Sequence, residues 1–175
     1  MDYFEVLNER HSIRAYKNQP VEPEKLQQIL DTINLAPSAG NLQAYEVYVV
    51  SEMNHKAALA KAANDQEFLA QAAIVLVFCA HAALSTDKYG KRGMELYCVQ
   101  DATIACTYAM LTVTALGMST VWVGAFNDEA VRRVICAPQA HRPVAMLPIG
   151  YPAEAPRRRP RRKLKDLIHE VKSDG

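Results

Sequence analysis

The residues best suited to chemistry stand near the two ends of this chain. Within the five positions from 10 to 14, the stretch "ERHSIRAYK" places Arg10, His11, Ser12 and Arg14. A guanidinium fork offers two parallel donors to a phosphate, and a neighbouring hydroxyl adds a third. Arg10, Ser12 and Arg14 alternate by two, so an extended segment would turn all three to one side. A solvated connector between two helices would use the same residues, and spacing alone leaves both readings open. Near the other end, "RRRPRRK" runs from Arg157 to Lys163. A bare basic run is usually a solvated tail and less often an anion or nucleic-acid patch. No aromatic residues interleave with it, so a stacking groove for single strands has no support.

Two further stretches could meet a ligand. "APSAGNLQAY" gathers Ala36, Ser38, Ala39 and Gly40 around Pro37, small residues that let a flat molecule lie against backbone. Asn41 and Gln43 add amide donors and acceptors there. Pro37 and Gly40 would also stop a helix unaided. "TVWVGAF" puts Gly124 directly after a strand-like run, with the N–H groups of Gly124 and Ala125 as candidate donors. A tight turn would need the same residues. Neither GxGxxG nor GxxxxGK[ST] occurs, so no dinucleotide fingerprint or P-loop is present. Cys79 and His81 lie two apart with no further ligand evident nearby, and they read as structural, with no metal expected. No Ser/His/Asp order or paired carboxylates point to hydrolysis.

These groups must be positioned by 175 residues, enough for one domain over 1–175 with a substantial core. The formal net charge of +1 provides no global field for nucleic acid or membrane. The four cysteines, Cys79, Cys98, Cys106 and Cys136, show no CxxC spacing and read as reduced core residues of a cytoplasmic protein. The stretch "MDYFEVLNER" does not read as a signal peptide, and the apolar run Ala102–Met118 is shorter than a bilayer needs.

Periodicity predicts a short amphipathic helix over 2–9. A second helix starts at Pro23 and carries Leu26, Ile29, Leu30 and Ile33 on one face. Strands are expected at Tyr45–Val50, in "AAIVLVFCA", in "STVWVGAF" and in "PVAMLPIGYP". The continuous apolar run of the second implies burial on both faces. Further helices are expected over Asn54–Ala63 and after an Asn127 cap. Met94–Leu116 reads as one long helix, apolar nearly all round and hence internal. The stretch Ala82–Gly93 reads as a mobile loop, and Leu164, Leu167, Ile168 and Val171 as a last amphipathic piece. Pattern alone favours alternating α/β with a parallel sheet.

In order along the chain, "RHSIRAY", "LAPSAGNLQAYEVYVV", "ALGMSTVWVGAFNDEAVRRVI" and "AMLPIGYP" with "LKDLIHE" resemble the nitroreductase family of FMN-dependent enzymes. The resemblance implies an α+β sandwich with a largely antiparallel central sheet flanked by helices. It also implies a homodimer with the long helix buried and a C-terminal strand reaching the partner. By that resemblance Arg10 and Ser12, with His11 between them, hold the FMN phosphate and ribityl chain. Arg14 lies by the flavin N1/O2 edge, where a cation tunes the cofactor. Arg161, Arg162 and Lys163 close on the phosphate, while Arg157, Arg158 and Arg159 are surplus. Pro37, Ser38, Ala39 and Asn41 reach the cofactor of the other subunit. Gly124 and Ala125 lie along a flavin face near N5, and Gln66 makes an amide contact. The implied reaction is ping-pong: NADH or NADPH delivers hydride to flavin N5, and an electron-poor small molecule, such as a nitroaromatic or quinone, is then reduced. The alternative is an FMN-binding storage or sensing protein with little turnover. Two departures stand out: Ala44-Tyr45 replaces the family's Pro-Trp, and the chain is short.

Overall fold

The computed structural model describes residues 1–171. Four strands form one sheet, β1 (Tyr45–Val50), β2 (Ile74–His81), β3 (Ser119–Thr120) and β4 (His141–Gly150), in the order β1-β2-β4-β3. Every neighbouring pair is antiparallel. The parallel sheet favoured by pattern alone is therefore corrected, and the α+β architecture implied by the resemblance holds. Continuous apolarity reports burial on both faces, not strand direction. Here β2 is buried from Ile74 to Ala80 because helices cover both sides of an antiparallel sheet.

On one face pack α3 (Met53–Ala62), the single turn α4 (Phe68–Gln71) and α7 (Asp128–Val134). Their Leu59, Leu69 and Val131 meet Val75, Val77, Cys79 and Met146 from the sheet. On the other face lie α2 (Pro23–Asn34) and α6 (Cys98–Ala115), whose Ile29, Ile33, Ala105 and Val113 meet Leu76, Phe78 and Leu147. The excursion through α3 and α4 leaves β1 and re-enters the sheet antiparallel beside it. Buried Lys56 steadies that re-entry, donating from Nζ to the carbonyls of Ala72 at 2.7 Å and Ala73 at 3.3 Å. The expected caps form: Pro23 opens α2, and Asn127 Oδ1 accepts from the Ala130 N–H at 2.9 Å. The first helix, α1 (Tyr3–Glu9), has a capping box between Asp2 and Glu5.

Four further expectations are corrected. The stretch expected as a loop is the helix α5 (Ala82–Arg92), broken only at Gly90. Gly93 acts there by absence: a Cβ at that position would collide with the Ser85 carbonyl and side chain, so the glycine permits close packing. The long helix is two pieces, a π-turn over Gly93–Tyr97 and then α6. The run "STVWVGAF" pairs with β4 only at Ser119–Thr120 and once more at Val123, opposite Met146. Trp122 leaves the ladder to pack against the α2–α6 side. The expected last amphipathic piece is a 3₁₀ turn at Leu164–Asp166 followed by irregular chain, exposed throughout 164–171. No helix among the described residues is long and apolar enough to cross a membrane.

Candidate functional site

After α1 the chain becomes extended, and its alternation is visible in burial. Ile13 and Tyr16 face inward, while Ser12 and Arg14 face out. Ser12 bridges Thr120 in parallel, with the Ile13 N–H donating to the Thr120 carbonyl at 3.2 Å. The Tyr16 hydroxyl donates to the Ile13 carbonyl at 2.7 Å and the Pro148 carbonyl at 3.3 Å. Burial pushes its pKa up, so it remains a donor.

The chain leaving β4 runs back along this segment. Tyr16 bridges Pro152, the Lys17 N–H donates to the Tyr151 carbonyl, and the Ala153 N–H donates to the Ala15 carbonyl. Glu154 then accepts from the Arg14 backbone N–H at 2.6 Å. This pairing brings the basic tail to the N-terminal cluster. Together they line a cavity of about 610 Å³ that holds Arg10, His11, Ser12 and Arg14 beside Arg157, Arg158, Arg159 and Arg161. Six guanidinia stand there against the single carboxylate of Glu154. That balance suits a phosphate dianion, the group an FMN would bring. Of the tail residues expected at the phosphate, Arg161 lines the cavity. Arg162 instead donates to the Asp166 carbonyl at 2.5 Å, and Lys163 precedes the 3₁₀ turn.

The segment from Pro37 to Asn41 lies outside that cavity. Three consecutive-region residues adopt left-handed backbone, Gly40 (φ 58°), Asn41 (φ 59°) and Gln43 (φ 48°). Backbone strain of this kind persists only where surroundings enforce it. The enforcing group is Asp101, buried in the first turn of α6. Its two carboxylate oxygens accept from the Ala39 N–H at 2.9 Å and the Ala44 N–H at 3.3 Å. Ser38 Oγ accepts from the Gln43 N–H at 2.9 Å. Lys88 and Tyr89 of α5 lie where a Cβ on Gly40 would project. Tyr45, in place of the family's Trp, donates its hydroxyl to the Ile33 carbonyl at 3.0 Å.

Gly124 and Ala125 follow the Val123–Met146 bridge, and their N–H groups have no partner among the described residues. The Ala125 carbonyl is held back by Asn64 Nδ2 and Gln66 Nε2, each at 3.3 Å. Gln66 also donates to the Ala63 carbonyl at 2.8 Å. Its amide thus supports the loop that carries Gly124 and Ala125. The sequence reading missed Asp101, Glu154 and Tyr16. Asp101 had a signal, since it is the one charged residue in an otherwise uncharged α6.

Comparison with known proteins defines the class. The sequence model of the nitroreductase family matches residues 7–66 and 54–151. The FMN reductase [NAD(P)H] of Bacillus subtilis is 30% identical over 177 residues, covering 94% of this chain and 71% of that one. The oxygen-insensitive NADPH nitroreductase of Salmonella typhimurium is 27% identical, covering 95% of this chain and 72% of the relative. The crystal structure of a nitroreductase family protein from Clostridium novyi NT superposes with a TM-score of 0.80 at 30% identity, covering 88% and 87% of the two chains. This chain belongs to the nitroreductase family.

Proposed function

We propose that this chain is a homodimeric, cytoplasmic FMN-dependent NAD(P)H oxidoreductase that reduces electron-poor small molecules such as nitroaromatics or quinones. The observation that carries the reading is the cavity in which Arg10, Ser12 and Arg14 meet the tail arginines. When bound, FMN supplies a ring that takes hydride from NAD(P)H at N5 and passes reducing equivalents to the acceptor. The protein's part is to bind and bias. Arg10, Ser12 and Arg161 hold the phosphate, helped by neighbouring tail guanidinia, with His11 between the first two. Arg14 places positive charge at the N1/O2 edge, favouring the reduced, anionic cofactor. The unpartnered Gly124 and Ala125 N–H groups face the ring near N5, on a loop that Gln66 braces. Pro37, Ser38, Ala39 and Asn41, pinned by Asp101, reach the cofactor held mainly by the second subunit.

Apolar surface supports the dimer. Tyr3, Phe4 and Leu7 on α1 and Leu164, Ile168 and Val171 in the tail are exposed in the single chain, and isolated domains rarely leave so much uncovered. Buried Cys79, Cys98 and Cys106 fit a reducing compartment. The storage or sensing reading is not favoured, because the curated relatives carry the names of turnover enzymes.

The test uses the purified yellow protein under anaerobic conditions. NADH or NADPH should bleach the flavin absorbance within seconds, and a quinone or nitroaromatic should restore it. Bleaching by neither nucleotide would return the balance to storage. Light scattering should give twice the 19.5 kDa chain mass, and a monomer that binds FMN fully would refute the shared site.

A further inference from the structure

We propose that Glu46, His81 and His141 form a binding site for a divalent transition-metal ion of the zinc class. The three residues come from the adjacent strands β1, β2 and β4, and one potential ligand atom from each lies within 4.8 Å of the others. Zinc bonds of about 2.0–2.2 Å to nitrogen and oxygen place tetrahedral ligands roughly 3.3–3.5 Å apart. Rotation of the side chains on a rigid sheet therefore closes the site without backbone movement. Two imidazoles and one carboxylate select zinc, copper or nickel over magnesium or calcium.

Ordinary hydrogen bonds account for the two pairs separately. His81 Nδ1 lies 2.9 Å from Glu46 Oε1, and the Tyr48 hydroxyl lies 2.7 Å from His141 Nδ1. His81 and His141 are direct cross-strand partners of β2 and β4, which brings their tilted imidazoles to 4.5 Å between centroids and sets two nitrogen ligands side by side. Tyr48 then orients the His141 ring from the outer shell. The Glu46 side chain, 41% exposed, leaves a way in and room for water to complete the coordination, while His81 is 20% exposed. Arg142 does not oppose the ion, since it lies with Ala80 and Cys98 on the opposite face of the sheet.

The site is remote from the arginine cavity. His141 begins β4 and Gly150 ends it, a span of about 30 Å at ~3.3 Å per residue, and the cavity lies beyond Gly150. An ion here would staple the edge strand β1 to β2 and β4 and stabilise the fold by mass action.

Chelator-treated, flavin-loaded full-length protein titrated with ZnCl₂ in a calorimeter should bind one ion per chain. E46Q, H81Q and H141Q should each weaken that binding about tenfold or more, while H55Q, at an exposed histidine of α3, should not. No binding by the wild-type protein, or equal binding by all four variants, would overturn the proposal. Should a variant fail to fold, wild-type crystals soaked in ZnCl₂ decide the matter by anomalous scattering. A peak among Glu46, His81 and His141 supports the site, and a peak only elsewhere, or none, rejects it. Neither measurement depends on turnover, so its outcome is separate from that of the flavin reading.

Discussion

Arg10 and Arg14 stand four positions apart in one cavity, yet the proposed roles differ in what their loss would do. Arg10→Ala removes a charge-assisted hydrogen bond worth about 1.5–3 kcal/mol, which corresponds to FMN binding weakened roughly 10- to 100-fold. The surplus of tail guanidinia would keep the effect toward the lower end. Arg14→Ala should retain FMN better but move the reduction potential to more negative values, read by equilibration with reference dyes. Unchanged affinity and potential in the two variants would mean that the cluster does not serve the cofactor. The gathering of Arg10, Ser12 and Arg14 was legible at the level of residues, and all three line one cavity together with His11. Asp101 was not read, because its two partners lie 62 and 57 residues away.

At the scale of elements, the loop after α2 depends on α6 and α5. In Asp101→Asn one oxygen remains to accept, and the new amide faces a backbone N–H, leaving a buried donor unpaired at about 1–3 kcal/mol. Gly40→Ala adds about 1–2 kcal/mol of left-handed strain as well as a clash with Lys88 and Tyr89. Both variants should melt at lower temperature and release FMN more readily. A loop variant with unchanged melting would show that the segment is not held as described. The helix α5 explains why composition misled here. Its Ser, Thr, Asp and Gly resemble loop residues, but Ser85 is fully buried and Gly93 admits the close contact that holds the helix down. Tertiary packing overrode local propensity.

Across the whole molecule the core thiols are held protonated by burial. Burial pushes the Cys79 thiol up to about 12 and raises those of Cys98 and Cys106 as well. The sign follows from proton counting. Above pH 9 the unfolded chain gives up its Cys79 proton while the folded chain keeps it, so protonation favours the fold and rising pH erodes stability. For Cys79 that loss runs between about pH 9 and 12, at up to ~1.4 kcal/mol per pH unit. The melting temperature should therefore be steady near neutrality and fall above pH 9, with a shallower fall in Cys79→Ala. A wild-type curve flat to pH 11 would contradict the burial of these groups.

From the sequence alone came the helix starts, the doubly buried strand, and the residue types that fit a flavin phosphate, because these are properties of short segments and their local spacing. Strand direction, the meeting of the basic tail with Arg10 and Arg14, and the grouping of Glu46, His81 and His141 belong to tertiary structure. Each brings together residues from distant parts of the chain, and sequence spacing holds no record of which strands will lie side by side.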